Sequence, residues 1–127
     1  MGDPENRDVV ERLFKAADAQ DWTTMKDLYH PDAIEEWPQS NERLNGAANI
    51  MAVNENYQGH PGVQVKEVRA ADNLVVGEAE LDYGGTKYCL VSIFEFRDGK
   101  IQKEVDYFCE PFAAEEWRAQ WVEKMTS

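Results

Sequence analysis

The sequence predicts an α+β fold, with helices first and an antiparallel sheet after them. Near the N-terminus, Val9, Leu13 and Ala17 recur at helical spacing between charged residues. From Val63 onward the apolar period becomes two, as in half-buried strands. Asp98-Gly99 then lies between two alternating apolar runs, a strong signal for a β-hairpin. Helices followed by strands, without alternation, are typical of α+β domains.

Three helices are expected before the sheet. Asp3-Pro4 predicts an N-cap followed by proline at the first helical position. Asp21 is expected to cap a short second helix, which His30-Pro31 ends. Asn45-Gly46 opens the third helix, whereas residues 33–44 give mixed signals and are assigned to neither state.

Four strands and a last helix complete the prediction. Val63 to Val68 form one strand, Leu74 to Tyr83 a second, and the hairpin within 88–112 supplies two more. Trp117 and Trp121 lie four residues apart, so we expect an amphipathic helix that docks on the body through both indoles.

Composition limits the possible partners. The 127 residues suit a single domain over 1–127, and the net charge of −12 argues against nucleic acid and anionic membranes. No apolar run approaches the ~20 residues of a membrane span, so a cytoplasmic location is expected. Cys89 and Cys109 are expected to be two reduced, buried thiols in diagonal positions.

The hairpin register determines which side chains share a face. A type I turn closed by Gly99 would pair Phe96 with Lys100, and Leu90 with Asp106. A two-residue Asp98-Gly99 turn would instead pair residues 91 and 106, and different side chains would then share the pocket face. In the first register one face carries Ser92, Glu104 and Asp106 together with Leu90, Phe94 and Phe108.

The second face of the hairpin is also apolar. It would carry Val91, Ile93, Ile101, Val105 and Tyr107, although a sheet covered on one side only should have a polar outer face. The surplus apolar face predicts a partner, most simply a second copy of the chain in a homodimer through the sheet.

Several short motifs, in their order along residues 6–122, resemble a known superfamily. They are Tyr29-His30-Pro31-Asp32-Ala33, Trp37-Pro38-Gln39-Ser40, Glu42-Arg43-Leu44-Asn45-Gly46, Asp82-Tyr83-Gly84-Gly85, Phe96-Arg97-Asp98-Gly99-Lys100-Ile101, Asp106-Tyr107-Phe108 and Glu110-Pro111-Phe112. The chain thereby resembles the nuclear-transport-factor-2-like superfamily and its SnoaL-like, polyketide cyclase-like branch. This resemblance implies a cone of helices on a strongly curved, mostly antiparallel sheet, with a hydrophobic pocket inside and frequent dimerisation through the sheet.

The resemblance also allows a comparison of catalytic positions. Where ketosteroid isomerases have an aspartate base, this chain has Trp37, and the second acid of those enzymes falls near Ser92. Epoxide hydrolases of the superfamily use Asp-Arg-Asp, but only Arg43 and Asp106 are candidates here. SnoaL-like cyclases use one acidic residue on a late strand as base for an aldol closure, a position that Asp106 resembles most closely.

Asp106 is therefore the predicted catalytic base, effective if burial lifts its pKa towards neutrality. The competing interpretation makes it part of a solvated strand edge. The predicted binding residues are Trp37, Tyr57, Glu78, Ser92, Phe94 and Phe108, with Glu80 as a further acid that could turn inward. Core packing for Tyr57, solvent exposure for Glu78 and Glu80, and a structural ion pair for Arg43 remain open alternatives. His30 and His60 form no ligand cluster, so neither a metal nor a cofactor is expected.

Two functions of different class follow. In one, the protein is a cofactor-free cyclase, isomerase or hydratase that transfers a proton on a small hydrophobic or aromatic carbonyl compound. In the other, the same fold is a non-catalytic module that binds a ligand or a partner. A third possibility is a structural dimer whose cone has collapsed and holds no cavity. A buried Asp106 beside a ligand-sized cavity would favour the first.

Overall fold

The computed structural model describes residues 2–125. Its helices are α1 (Asp3–Ala19), α2 (Trp22–Asp27) and α3 (Ala47–Asn56), and a short 3₁₀ helix spans Glu116–Trp121. Its strands are β1 (Tyr29–Trp37), β2 (Glu42–Asn45), β3 (Gly62–Ala71), β4 (Leu74–Tyr83), β5 (Thr86–Arg97) and β6 (Lys100–Cys109). No helix in this part of the chain is long and apolar enough to cross a membrane.

The six strands form one curved, open sheet in the order β2-β1-β6-β5-β4-β3. All neighbours are antiparallel except β1 and β6, which run parallel. Helix α1 packs on β3 and β4, and α3 packs on β1, so the helices cover one face. This arrangement confirms the expected α+β fold with helices against a mostly antiparallel sheet.

The core lies between α1 and the middle of the sheet. Phe14 and Phe94 are both buried and pack edge to face, with ring centroids 6.1 Å apart. Gly77 permits this approach, because a Cβ atom there would lie 2.6 Å from Cε2 of Phe14. A glycine in β4 therefore lets α1 come close to the sheet.

The helix starts follow the predicted signals to within a residue, but the predicted end of α2 at His30-Pro31 is wrong, because α2 ends at Asp27 and β1 begins at Tyr29. α1 begins at Asp3 and takes Gly2 as its N-cap, one position earlier than expected. The carboxylate of Asp21 accepts a hydrogen bond from the Thr24 amide at 3.2 Å, which confirms it as the cap of α2. Gly46, at a φ of 92°, precedes α3 as expected.

Residues 33–44 contain the strands that the sequence pattern did not resolve. In β1, Ala33 and Glu35 point towards the helices, whereas Ile34 and Glu36 lie on the opposite face of the sheet. Apolar and acidic residues thus occur on both faces, so the period of two is masked. Strand β1 is held instead by its parallel pairing with β6, a long-range contact.

The hairpin turn differs from the preferred register but leaves the predicted pocket face intact. Asp98 and Gly99 have φ values of 50° and 79°, so the loop has two residues and Arg97 pairs with Lys100. A β-bulge at Gln102 then adds one residue, and Ser92 pairs with Asp106. The predicted pairing of Leu90 with Asp106 is therefore wrong: the shorter turn and the bulge each move the pairing by one position, so Leu90 pairs with Phe108.

The bulge restores the face assignment, since the predicted and observed registers differ by an even number of residues. Ser92, Glu104 and Asp106 share a face with the buried Leu90 and Phe94, as predicted. Ile101 is the exception: it precedes the bulge, is fully buried and belongs to the core rather than to the outer face.

Two further expectations are corrected. Cys89 lies directly opposite Cys109 and not diagonally from it; both are free, and Cys89 is exposed rather than buried. Trp117 and Trp121 lie on the 3₁₀ helix and are 70% and 72% exposed, so they do not dock on the body. The chain after β6 leaves the sheet and carries these indoles into solvent.

Candidate functional site: a carboxyl-lined cavity

A cavity of about 1080 Å³ lies between the helices and the concave face of the sheet. Residues from α1, α2 and α3 form one wall, and β1, β3, β4, β5 and β6 contribute to the other. Most of the lining is apolar or aromatic. Its large aromatic side chains are those of Phe14, Trp37, Tyr57, Tyr83, Tyr88 and Phe108.

The aromatic side chains contact one another around the cavity. Trp37 and Phe108 pack edge to face with ring centroids 6.0 Å apart. On the other side, Tyr83 contacts both Tyr88, at 5.5 Å between centroids, and Tyr57, at 6.4 Å. The hydroxyl groups of Tyr57 and Tyr83 lie 3.3 Å apart. Tyrosine walls of this kind combine a large apolar area with polar tips.

Three carboxyl side chains meet in the cavity wall. Glu35, Glu104 and Asp106 are only 4%, 6% and 4% exposed, and one oxygen from each lies within 4.8 Å of the others. The parallel register of β1 and β6 places Glu35 beside Glu104, and Asp106 follows two residues later on the same face. The sheet therefore brings together acids that are about 70 positions apart in sequence.

Each carboxyl group has a different neutral hydrogen-bond donor. The Ser92 hydroxyl donates to Oδ1 of Asp106 at 2.6 Å, and the Tyr29 hydroxyl donates to Oε1 of Glu104 at 2.5 Å. The indole Nε1 of Trp37 donates to Oε2 of Glu35 at 2.7 Å. These donors orient the carboxyl groups, but they supply no positive charge.

Burial raises the pKa of Glu35 and of Glu104 well above the ordinary glutamate value, and the neighbouring Asp106 raises both further. The hydrogen bonds from Trp37 and Tyr29 act in the opposite direction but are the smaller effect. The cavity lining contains no lysine or arginine that would oppose the rise. Glu35 and Glu104 therefore keep their protons to a higher pH than an ordinary glutamate, and in the protonated form each can donate a hydrogen bond.

The cluster is also the one group of three or more metal-ligand side chains in residues 2–125. Carboxylate oxygens are the donors that Mg²⁺ and Ca²⁺ use. Each of these carboxyl groups accepts a hydrogen bond on one oxygen only, Oε2 of Glu35, Oε1 of Glu104 and Oδ1 of Asp106, so a second oxygen remains on each.

Four of the residues predicted for the site line the cavity: Trp37, Tyr57, Asp106 and Phe108. Asp106 is buried beside a ligand-sized cavity. The interpretation of Asp106 as part of a solvated strand edge is therefore wrong, and so is that of a collapsed cone without a cavity. The chemical roles of these residues stay predictions.

Three predicted binding residues do not reach the cavity. Ser92 is fully buried behind Asp106 and acts on it through the hydrogen bond alone. Phe94 is a core residue against Phe14. Glu78 lies on the outer face and forms an ion pair with Arg69, because alternation in β4 turns it away from its inward neighbours.

Of the other acids and bases considered, Glu80 also faces outward, where it pairs with Lys66 and Lys87. Arg43 forms the structural ion pair that was its alternative, with Glu36 as partner at 2.8 Å. His60 lines the cavity and contacts Trp22 edge to face.

Glu35 is the site residue that sequence reasoning missed, and Glu104 was placed on the pocket face without a role. The signal for Glu104 was its two-residue spacing from Asp106. No local signal marked Glu35, because its place in the cavity depends on the parallel pairing of β1 with β6.

Comparison with known proteins settles the family. Residues 10–104 match the family model described as a SnoaL-like domain. The chain belongs to the SnoaL-like family. No curated protein of assigned function is significantly similar in sequence.

Solved structures extend the likeness of this SnoaL-like protein to nearly its full length. An NTF-2 like protein of unknown function from Burkholderia xenovorans is 36% identical, with a TM-score of 0.90 and 96% of each chain covered. A proposed ketosteroid isomerase from Kribbella flavida is 22% identical, with a TM-score of 0.90 and coverage of 98% of this chain and 93% of that one.

A third structure, a proposed SnoaL-like polyketide cyclase from Jannaschia, is 22% identical with a TM-score of 0.71. It covers 84% of this chain and 86% of its own. The last two likenesses establish the fold alone.

Proposed function

We propose that this SnoaL-like protein binds a small hydrophobic or aromatic carbonyl compound and transfers a proton on it without a cofactor. The observation that carries the proposal is the meeting of Asp106 with two buried glutamates, whose pKa values are raised, in the wall of an apolar cavity. A single small site thus contains both a proton acceptor and proton donors, as isomerisation, cyclisation or hydration requires.

Asp106 is the base in this proposal. It lines the cavity and accepts a hydrogen bond from Ser92, which holds the carboxylate in place. Removal of a proton next to a carbonyl group leaves negative charge on the carbonyl oxygen. A carboxylic acid from Glu35 or Glu104 can donate a hydrogen bond to that oxygen, and low local polarity strengthens this stabilisation.

The walls define the substrate class. A volume of about 1080 Å³ exceeds the usual range of small-molecule pockets, so a compound of two or more fused rings would fit. The lining lacks lysine and arginine, which disfavours phosphates and carboxylates as substituents. Trp37, Tyr57 and Phe108 would contact the apolar body of the compound.

The test does not require the natural substrate. A panel of cyclic ketones is incubated with the protein in D₂O, and exchange of the protons next to the carbonyl group is followed by ¹H NMR. We expect exchange with one or more members of the panel, and Asp106→Asn should lower its rate by about 10²- to 10⁴-fold while the ketone still binds. Glu95→Gln, which changes an exposed residue of β5, is the matched control.

A second function is distinguished by the same experiment. If ketones shift the resonances of cavity residues but no proton exchanges above the rate in buffer, the protein is a non-catalytic binding module. The open, preformed cavity is the observation that favours this alternative. If no ketone binds at all, the proposed substrate class is wrong.

We also propose that the chain acts as a homodimer through the outer face of its sheet. Val76, Val91, Ile93, Val105 and Tyr107 form a continuous strip across β4, β5 and β6, here called the outer apolar strip. Its members are half-buried or exposed, and no other element of residues 2–125 covers them. An uncovered apolar strip on a sheet favours association.

A further inference from the structure

The C-terminal arm, residues 110–125, has an unusual surface. Phe112 and Met125 are each 85% exposed, and Trp117, Trp121 and Val122 are exposed as well. Within residues 2–125, the side chains of the arm bond only to one another: Glu115 accepts from Trp117 and pairs with Arg118. The arm therefore exposes two indoles and three other apolar side chains that pack against no surface of the same chain within residues 2–125.

The outer apolar strip is the complementary surface on the same chain. It is apolar along its centre, and its flanks carry ion pairs that join four acidic residues to five basic ones: Glu36, Glu67, Glu78 and Glu80 with Arg43, Lys66, Arg69, Lys87 and Lys103. In a chain of net charge −12, this face is nearly neutral. An acidic chain can therefore approach it with little repulsion.

Within one chain the two surfaces do not meet. The arm leaves the end of β6 with both indoles in solvent, while the strip stays uncovered. A second copy supplies each surface with its counterpart, and a two-fold arrangement satisfies both arms at once. We infer that the C-terminal arm docks through Trp117 and Trp121 on the outer apolar strip of a second copy of this chain.

Trypsin provides a direct test, because Arg118 lies between the two indoles and is 32% exposed. A docked arm is cleaved only when it is released, so cleavage should slow as the dimer accumulates. Well above the dissociation constant, the free fraction varies with the inverse square root of concentration. A roughly hundredfold rise in concentration should therefore slow cleavage after Arg118 about tenfold. Sedimentation velocity on the same samples reports the dimer.

Three variants sharpen the test. Trp117→Glu/Trp121→Glu should be cleaved rapidly at every concentration and should also show whether saturation of trypsin slows the reaction. Tyr107→Glu changes the exposed end of the strip and should have the same effect. Ala48→Glu/Ala52→Glu adds the same two charges to exposed positions of α3 and should behave as the unchanged chain. Circular dichroism verifies that each variant is folded.

Because this arrangement requires the proposed homodimer, a monomer at all concentrations overturns both. A dimer whose arm is cleaved equally fast at all concentrations leaves the homodimer standing and overturns the docked arm. Slow cleavage that stays constant while sedimentation shows the dimer fraction changing, and that is lost in the double tryptophan variant, means that the arm folds on its own chain. Protection that survives Tyr107→Glu places the arm elsewhere on the partner. An arm that folds on its own chain and an arm that docks elsewhere both overturn the inference.

Discussion

The raised pKa values of Glu35 and Glu104 make a quantitative prediction about stability. A glutamate in the unfolded chain titrates near its ordinary value of 4.5, whereas both buried groups keep their protons to higher pH in the folded protein. Above pH 4.5 the folded state therefore binds more protons than the unfolded state. The contribution of these groups is fully present below 4.5 and is lost as the pH rises through the raised folded-state values.

The slope follows from the number of protons involved. Each proton that only the folded state binds lowers the free energy of unfolding by about 1.4 kcal/mol per pH unit, so the two glutamic acids together contribute about 2.7 kcal/mol per unit at most. Glu104→Gln replaces one of them with a neutral group of the same shape that can still bond to Tyr29. The slope should then be shallower by up to about 1.4 kcal/mol per unit, over the pH range in which Glu104 keeps its proton in the folded state only.

Urea denaturation followed by circular dichroism at constant ionic strength, from about pH 5 to about pH 8, measures this slope. The variant should match the unchanged protein near pH 5 and be the more stable of the two near pH 8. Glu95→Gln removes an exposed carboxylate from the adjacent strand and should run parallel to the unchanged protein. Equal slopes for Glu104→Gln and the unchanged chain would refute the assignment of Glu104 as a buried carboxylic acid.

Three other substitutions or modifications test the packing and the thiols. Gly77→Ala places a Cβ atom 2.6 Å from Cε2 of Phe14 and should destabilise the fold by roughly 1–3 kcal/mol in urea, so an unchanged midpoint would contradict the close approach. Phe94→Ala empties a fully buried site and should cost about 3–5 kcal/mol; a loss below about 1 kcal/mol would place this ring in the cavity wall instead. Cys89 should react with iodoacetamide before Cys109, whose pKa is raised by its hydrogen bond with Cys89 and by burial; mass spectrometry that finds the reverse order would disprove the exposed position of Cys89.

The sequence by itself determined the class of fold and the contents of the hairpin's two faces. Alternation in a strand has a period of two, so the face assignment of Ser92 and Asp106 survives any even change of register. The exchange of a predicted three-residue turn for a two-residue turn and a bulge was such a change. At Ile101, which lies between the turn and the bulge, the register differs from the predicted one by a single residue, so this side chain was assigned to the wrong face.

Only the tertiary structure decided the composition of the site. Glu35 enters the cavity because β1 pairs in parallel with β6, and no local pattern in residues 33–44 encodes a partner so distant in sequence. The depth of the cavity likewise separates Phe94, which is covered by Phe14 of α1, from Phe108, which remains in the wall. Spacing along a strand specifies the face of a side chain, but the helices above it determine whether that side chain meets protein or cavity.

The C-terminal arm is a second case in which the sequence pattern did not determine the contacts of a side chain. The spacing of Trp117 and Trp121 predicted a docked helix, and the indoles are exposed instead. An apolar pattern indicates that burial of a surface would be favourable. The geometry of the chain determines which other surface is close enough to bury it. Within one copy of this chain, no surface of residues 2–125 covers the two indoles.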